Sequence, residues 1–227
     1  MKPAWCHPWD VTPAVARQWQ IEARRRLVLE DPATASIVPP ELIAVDVGYD
    51  RATNLCAAAL VVWDADGRRP RRCLTHAQPS TFPYVPGLLS FREIPALLPL
   101  FRRLRARPEL VICDAQGYAH PRRIGMAAHL GVVLDCPTLG WAKTRLIGAW
   151  RGLAPATGAA TPLMDQGEQI GWVFRSRAGC KPTFISPGHR MSMGRALACA
   201  RALAGPYRLC EPIRLAHQFT RQAMLKT

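Results

Sequence analysis

Near the amino terminus, apolar residues recur every four positions, at Val15, Trp19, Ala23 and Leu27. This period is typical of an amphipathic helix, and we expect one over about residues 13–30. Thr12 followed by Pro13 supports that start, because a threonine side chain caps free backbone amides and proline is well tolerated in the first helical turn.

Three β-strands are expected next. The runs 42–50 and 55–64 are rich in strand-forming apolar residues. Asp-Ala-Asp-Gly at 64–67 predicts a turn into a third strand near 71–77, so these strands should form a hairpin meander. Residues 78–90 are expected to form a proline-rich loop.

The rest of the chain alternates helices and strands. Ile94, Leu97, Phe101 and Leu104 mark one helical face; further helices are expected over 122–131, 192–204 (with Ser192 as its cap) and 212–224, and strands at 109–115, 136–143, 169–176 and 183–186. Residues 150–168 are rich in Ala, Gly and Pro, which favours a loop. This order predicts a single α/β domain over residues 1–227, with a central mixed β-sheet flanked by helices.

Composition bounds the class of protein. The 227 residues are long enough for one packed core, and Lys and Arg outnumber Asp and Glu by 30 to 16, a formal net charge of +14. Such an excess favours a polyanionic partner, because binding it releases condensed counterions. The alternative is a set of solvated arginine-rich faces, so charge by itself does not decide for nucleic acid.

Cysteine usage and hydropathy indicate a reducing, aqueous compartment. The eight cysteines form no CxxC pair and no cysteine–histidine cluster with zinc spacing. No run approaches the roughly 20 apolar residues that span a bilayer, and the amino-terminal residues lack the apolar segment of a signal peptide. We therefore expect a cytoplasmic protein without a membrane partner, and nothing in the pattern indicates more than a monomer.

Three acidic residues are candidates for chemistry. Asp46 lies inside a strand between two valines, Asp114 ends an apolar strand, and Glu93 begins a helix. Singly, such acids more often face solvent, cap a loop or complement a helix dipole. If they converge, their oxygens suit a hard divalent cation such as Mg²⁺, which in a basic protein indicates hydrolysis of a phosphodiester.

Six longer motifs are spread over most of the chain: AVDVGYD (44–50), YVPGLLSFREIPALL (84–98), HPRRIGMAAHLGVVLDCPTLGWAK (120–143), PLMDQGEQIGWVFRS (162–176), PGHRMS (187–192) and YRLCEPIR (207–214). Together they resemble the endonuclease V family, also called deoxyinosine 3′ endonucleases. The resemblance implies a ribonuclease-H-like fold and a DNA repair endonuclease that depends on Mg²⁺, for which Mn²⁺ substitutes. It also implies a nick at the second phosphodiester bond 3′ to a deaminated base, which leaves 3′-hydroxyl and 5′-phosphate ends.

The resemblance implies five catalytic residues, which are Asp46, Glu93, Asp114, Lys143 and His189. Asp46 and Asp114 would bind the metal directly, and Glu93 directly or through water. Lys143 would contact the phosphate or the attacking water, and His189 would orient or deprotonate water or protonate the leaving oxygen. From the residues alone, Lys143 reads as a surface lysine and His189 as a turn residue.

The resemblance further implies a wedge loop, made by Pro83, Tyr84, Val85, Pro86 and Gly87. Tyr84 would fill the gap left by a base turned out of the stack. The prolines fix φ and reduce the entropy lost when the loop engages DNA. The alternative is an ordinary proline turn around a packed tyrosine.

Residues near the bound strand are also implied. His120, Arg122 and Arg123 would lie along it, with the arginines against phosphates. The lesion pocket would include Gly87, Ala115, Gly117 and Gly125. Helix-start surface charge explains the two arginines as well.

Two departures from the family bear on substrate preference. This chain has Asp-Ala-Gln-Gly at 114–117 instead of a DGHG-like turn, and Trp141 replaces a small aliphatic residue. The expected partner is deaminated or mismatched DNA. Three alternatives stay open: an endoribonuclease acting on inosine in RNA, a structure-specific nuclease acting on flaps or mismatches, and a catalytically silent module that binds deaminated nucleic acid.

Overall fold

The computed structural model describes residues 1–225, in which one eight-stranded sheet lies between helices. The helices are α1 (Pro13–Arg25), α2 (Leu89–Arg102), α3 (Met126–Leu134), α4 (Met193–Leu203) and α5 (Glu211–Met224). The strands are β1 (Glu41–Asp50), β2 (Leu55–Asp64), β3 (Arg69–Pro79), β4 (Val111–Cys113), β5 (Thr138–Ala142), β6 (Ala160–Asp165), β7 (Glu168–Phe174) and β8 (Thr183–Pro187). The predicted α/β class with a central sheet flanked by helices is confirmed.

The strand order is β3-β2-β1-β4-β5-β8-β7-β6. Strands β1, β2 and β3 pair antiparallel, as the meander predicts, whereas β4 is parallel to β1 and β5 is parallel to β4. The sheet is therefore mixed, as expected. The carboxyl ends of β1, β4 and β5 meet at one edge, where side chains from separate parallel strands can converge. We call this edge the carboxyl edge.

Alternation along β1 divides its side chains between the two faces of the sheet. Val45 joins the core beneath α2 and α3, and Ala44 joins the core beneath α4 and α5. Asp46 therefore points to the α5 face, where its carboxylate contacts that helix. Glu93 belongs to α2 and approaches the carboxyl edge from the other face.

Two predicted helix starts are confirmed by their caps. Thr12 Oγ1 accepts a hydrogen bond from the Val15 amide (3.4 Å), and Ser192 Oγ accepts one from the Arg195 amide (3.1 Å). Each cap satisfies a backbone donor that the first helical turn leaves free.

Several boundaries differ from the expected ones. Helix α1 ends at Arg25 rather than near residue 30. Helix α3 begins at Met126 rather than at 122, because residues 120–125 form a turn. In this turn Arg123 adopts a φ of +56° and donates its amide to the His120 carbonyl (2.8 Å).

The loop predicted over residues 150–168 is wrong for its last part. Strand β6 lies there and pairs antiparallel with β7. Gln166 and Gly167, with φ of 52° and 82°, close the hairpin between them. A run containing alanine and proline has little strand propensity of its own, so the pairing partner decides this strand.

Among residues 1–225, no helix combines the length and the apolar content that crossing a bilayer requires.

Candidate active site at the carboxyl edge

Two aspartates and a histidine meet at the carboxyl edge. Strands β1 and β4 run in parallel with Val45 opposite Cys113, and Asp46 and Asp114 follow at adjacent positions. His217 of α5 reaches the same point, where one ligand atom from each of the three side chains lies within 4.8 Å of the others. His217 Nδ1 is 3.1 Å from Asp46 Oδ2. Within residues 1–225, this is the one group of three or more such side chains that could hold a metal ion.

Lys143, directly after β5, adds a positive charge to the cluster. Its Nζ is 2.5 Å from Asp114 Oδ2. The Lys143 carbonyl accepts a hydrogen bond from Arg208 Nη2 (2.5 Å), which also donates to the Pro182 carbonyl (2.8 Å). The lysine backbone is thus fastened to the segment before β8, and its ammonium group is kept beside the acids.

Glu93 lies near the two aspartates but outside the group within 4.8 Å. Burial raises the pKa of its carboxyl well above the usual value, and repulsion from Asp46 and Asp114 adds to the rise. Burial also raises the pKa of Asp114, although the Lys143 ammonium opposes this. A bound cation would stabilise the ionised forms of these carboxyl groups, because they are poorly solvated and repel one another.

His189 is not brought to this cluster. Its backbone amide donates to Thr138 Oγ1 (2.8 Å) at the amino end of β5, and its Nε2 is 3.2 Å from Asp135 Oδ1. Lys143 follows the opposite end of the same strand, about 16 Å away at the rise of an extended chain. The Val28 amide donates to His189 Nδ1 (3.3 Å). The catalytic role expected for His189 therefore disagrees with its place in the fold, where the ring joins the segment after α1 to the turn before β5.

His217 is the site residue that sequence reasoning missed. Ile213, Ala216 and Thr220 recur at helical spacing as buried positions of α5, and His217 stands at the border of that face. A histidine at such a border was the available signal. However, His217 is 171 residues from Asp46 in sequence, so local pattern gives no reason to join them.

The predicted wedge loop projects between two buried anchors. Phe82 before it and Leu88 after it are 3% and 1% exposed, whereas Tyr84 is 67% exposed. Gly87 ends the loop with a φ of +77°, in the left-handed region that favours glycine. The loop is therefore anchored at both ends and exposes its tyrosine to solvent, whereas the tyrosine of an ordinary turn would be packed.

Three donors converge on the Gly87 carbonyl. They are Gln20 Nε2 (3.0 Å), His120 Nε2 (2.9 Å) and Arg122 Nη2 (2.6 Å). A carbonyl oxygen has two lone pairs, so its hydrogen-bonding capacity is fully used here. The loop is held firmly at this residue.

The segment around His120 is held by contacts within the protein. His120 is 3% exposed, and burial lowers the pKa of its imidazole to about 4, so the ring is neutral at pH 7. Arg122 braces the wedge loop, and Arg123 forms ion pairs with Asp165 (2.8 Å) and Glu168 (2.7 Å). These groups support the loop and the β6–β7 hairpin, and the phosphate contacts of the two arginines stay a prediction.

A cleft of about 490 Å³ joins the wedge loop to the acidic cluster. Its lining includes Tyr84, Val85, Pro86, Gly87, Asp46, Asp114, Lys143, His217, His120, Ala115, Gln116 and Gly125. Gly117, expected in the lesion pocket, is absent from this lining and instead donates its amide to Ser186 Oγ (2.8 Å). A Cβ at Gly117 would lie 2.3 Å from the Pro187 carbonyl oxygen, so glycine allows the turn to pack against β8.

The two departures from the family have different consequences. Gln116 Nε2 donates to the Thr144 carbonyl (2.7 Å), which ties the turn after Asp114 to the residue after Lys143 at the cleft. Trp141 is fully buried and donates to Thr183 Oγ1 (3.1 Å). Trp141 therefore fills core space and does not narrow the cleft.

Known proteins are similar to this sequence over most of its length. A family model described as Endonuclease V matches residues 22–218. An endonuclease V of Xanthomonas axonopodis pv. citri is 46% identical over 190 residues, which cover 83% of this chain and 79% of that protein. One of Trichormus variabilis is 41% identical over 192 residues, which cover 84% and 86%.

Solved structures share the fold. The structure of the endonuclease V of Streptomyces avermitilis matches with a TM-score of 0.89 at 38% sequence identity. The match covers 96% of this chain and 95% of the Streptomyces chain. A Ciona intestinalis endonuclease V, in complex with DNA containing an inosine, has a TM-score of 0.82 at 23% identity over 95% and 99% of the two chains. The expected ribonuclease-H-like fold is confirmed by these likenesses. With a family match that spans residues 22–218 and relatives 46% and 41% identical, this chain belongs to the endonuclease V family.

Proposed function

We propose that this protein is a metal-dependent endonuclease that nicks DNA at the second phosphodiester bond 3′ to a deaminated base. Deoxyinosine is the proposed lesion, and the products carry 3′-hydroxyl and 5′-phosphate ends. The observation that carries the proposal is a single cleft that holds both the Asp46–Asp114–His217 cluster and the exposed Tyr84. An exposed tyrosine that can replace a displaced base, close to a cluster that can hydrolyse a phosphodiester, suits an enzyme that recognises a damaged base and cuts the strand nearby.

The cluster fits a divalent cation. Carboxylate oxygens such as those of Asp46 and Asp114 are the ligands that Mg²⁺ and Mn²⁺ prefer. Glu93 lies near both aspartates, whose charges help to raise its pKa, and the family resemblance implies that it would hold the ion directly or through water. When bound, the ion neutralises charge on the phosphate and lowers the pKa of a water molecule. Mg²⁺ is the proposed cofactor, with Mn²⁺ as a substitute.

His217 is suited to move a proton. An aspartate oxygen only accepts, so the neutral ring places its hydrogen on Nδ1 against Asp46 and keeps a lone pair on Nε2. The ring lines the cleft with 47% of its side chain exposed. Nε2 can therefore take a proton from an attacking water or return one to the leaving oxygen.

Lys143 would stabilise negative charge on the phosphate. Its ammonium group lies against Asp114 and also lines the cleft. An ammonium has three donors, so one can contact a phosphate oxygen while another stays on the aspartate.

Tyr84 supplies the base recognition. Its ring would enter the stack where a base has turned out, and the fixed Gly87 end of the loop limits the entropy lost on insertion. Unstacking costs least at a poorly paired base, which favours hypoxanthine opposite thymine and also makes mismatched DNA a second candidate partner.

We also propose that the protein works as a monomer in the cytoplasm. All eight cysteines are free thiols, and five of them are buried. Free buried thiols are typical of proteins from reducing compartments.

Cleavage of matched oligonucleotides tests the proposal. We expect one nick, two bonds 3′ to the lesion, in duplex DNA with a single deoxyinosine in Mg²⁺ or Mn²⁺, and none in EDTA or in the unmodified duplex. Matched inosine RNA and a flapped DNA without inosine serve as comparison substrates. Preference for either one would replace the proposed substrate.

Asp46→Ala separates an enzyme from a binding module. The variant should bind the inosine duplex but lose cleavage, because it removes a metal-binding carboxylate. Binding by the wild-type protein without any nick in Mg²⁺ or Mn²⁺ would contradict the proposal and indicate a silent binding module.

A further inference from the structure

The wedge loop is connected to an amino-terminal segment that lies outside the family match. That match begins at residue 22, whereas His7 and Gln20 precede it. Gln20 is 1% exposed and donates to the Gly87 carbonyl. His7 is 7% exposed, and its Nε2 is 2.9 Å from His129 Nε2. Both are polar side chains that are buried and hydrogen-bonded to specific partners. Because burial of polar groups is costly without such partners, these hydrogen bonds indicate a definite role for the two residues.

The hydrogens along this connection can be placed from its acceptors. His7 Nδ1 faces the Pro8 carbonyl (2.8 Å), which only accepts, so Nδ1 carries the hydrogen and Nε2 of the neutral ring accepts. His129 Nε2 must then donate to His7, which leaves His129 Nδ1 to accept from the Ser90 hydroxyl (3.0 Å). The Ser90 oxygen accepts in turn from Gln20 Nε2 (3.4 Å).

Arg122 fixes the other half of the Gln20 amide. Arg122 Nε is a donor and lies 2.6 Å from Gln20 Oε1, so the oxygen of the amide must face the arginine. The amide nitrogen then divides its two hydrogens between Ser90 and Gly87. The direction of every hydrogen bond from His7 to Gly87 is therefore set.

The two histidines are largely shielded from solvent, with 7% of His7 and 0% of His129 exposed. The His7 ring lies among Trp9, Trp19 and Phe91, at centroid distances of 4.1, 5.3 and 5.2 Å. Desolvation by burial lowers the pKa of His7 and lowers that of His129 well below its usual value, which favours the neutral form of both rings. A hydrogen bond broken here is poorly replaced by one to solvent. Its loss should therefore disturb the other hydrogen bonds between His7 and Gly87.

We propose that His7 and Gln20 are positioning residues for the wedge loop. The chain His7–His129–Ser90–Gln20 orients the Gln20 amide, which holds the Gly87 carbonyl and with it the loop that presents Tyr84. This inference rests on the proposed function, because it assigns the amino-terminal segment to base recognition. Gln20 and Ser90 line the cleft beside the wedge loop, and none of the four residues supplies a ligand atom to the acidic cluster. We therefore assign them to recognition rather than to hydrolysis.

The distinguishing readout is a split between KM and kcat. A loosened loop should weaken capture of the inosine duplex, so KM should rise. The rate constant of a single turnover at saturating enzyme should stay within about twofold of wild type, because the hydrolytic groups are untouched. A merely structural role would lower the active fraction and leave KM unchanged.

Three variants test the chain. Gln20→Met keeps the volume but removes both donors, and we expect KM to rise about tenfold. His7→Phe keeps the ring among its aromatic neighbours but removes its hydrogen bonds, with an expected rise of about threefold. Because His7 acts through Gln20, the double variant should match Gln20→Met alone, within about twofold.

Two further variants keep the test decisive. Ser90→Ala removes one hydroxyl from the middle of the chain and should match His7→Phe, which covers the case in which the histidine variant fails to fold. His76→Phe is the matched control. This histidine lies on β3 and contacts Gln78 Oε1 (3.1 Å), and it takes no part in the hydrogen bonds from His7 to Gln20. Its KM should equal that of wild type.

The outcomes separate the inference from the proposed function. If the wild-type protein does not nick the inosine duplex, both are overturned. If it does, and Gln20→Met, His7→Phe and Ser90→Ala leave KM unchanged, only the inference is overturned. Multiplying effects in the double variant, or a loss in kcat with no change in KM, would also overturn it.

Discussion

His217 and His189 each contact an aspartate at nearly the same distance, but they lie in opposite surroundings. His217 Nδ1 is 3.1 Å from Asp46, and His189 Nε2 is 3.2 Å from Asp135. The His217 side chain is 47% exposed at the cleft, whereas that of His189 is 5% exposed. The first ring can exchange protons with solvent or substrate, and the second is enclosed.

The neighbours of each pair explain the difference. Beside His217, Asp114 and Lys143 bring further charge to one point, which suits phosphodiester chemistry. Beside His189, the Val28 amide and Thr138 Oγ1 complete a set of hydrogen bonds that joins separate segments. A histidine–aspartate contact is therefore no evidence of catalysis until its burial and its third partner are known.

Asp114→Asn should cause the largest change, on the His217 side. It removes a metal-binding charge while keeping the shape, and kcat for nicking should fall about 1000-fold, which corresponds to several kcal/mol of lost charge stabilisation. Single-turnover cleavage in Mg²⁺ measures this. Asp135→Asn is the matched control on the His189 side and should keep kcat within about threefold; equal losses in the two variants would remove the distinction.

His217→Ala should lower kcat about 100-fold, because it removes the proposed proton carrier. The melting temperature should change little, since the ring is half-exposed and makes few buried contacts. Kinetics at several pH values, with thermal melting of the same samples, check both parts. Full activity in this variant would show that the histidine next to Asp46 is dispensable.

His189→Ala should reverse the pattern. The folded protein should lose about 2 kcal/mol of unfolding free energy, because two hydrogen bonds of a buried ring disappear. The folded fraction should nick with kcat within about twofold of wild type. Urea unfolding measures the stability; a large loss of kcat without loss of stability would return His189 to the catalytic residues.

The pH dependence of stability gives the smallest effect. Burial lowers the pKa of His189 below its usual value near 6.5. Just below about pH 6.5 the unfolded chain then binds more protons than the folded protein. The contribution of His189 to the free energy of unfolding is therefore fully present above about pH 6.5 and is lost as the pH falls. The difference in unfolding free energy between wild type and His189→Ala should shrink from pH 8 to pH 5. A constant difference would contradict a lowered pKa.

Most elements could be predicted because their signals are local. The cap of Thr12 and the apolar period of α1 involve residues within a few turns of each other. Asp114 was placed at the end of a strand and Asp46 inside another, and the parallel pairing of β1 with β4 makes them neighbours. The wedge loop was implied by the family resemblance, whose motif keeps Tyr84 between two prolines and ahead of Gly87, and the structure gives Gly87 a φ of +77°.

Other features had no local signal. Strand β6 depends on pairing with β7, and Arg123 is held by Asp165 and Glu168 of that hairpin, far from it in sequence. The conflict over His189 has the same origin, since its motif is recognisable but its position in space is set by β5 and α1.

The amino-acid sequence by itself determined the helices, most strands, the family and two of the acids that meet at the carboxyl edge, because periodicity, caps and motifs are properties of residues close together in the chain. Only the tertiary structure decided which histidine joins Asp46, 171 residues away, and which donors hold the Gly87 carbonyl. Those contacts depend on how helices and strands stack, and stacking is set by the burial of whole faces, which no short stretch of sequence specifies.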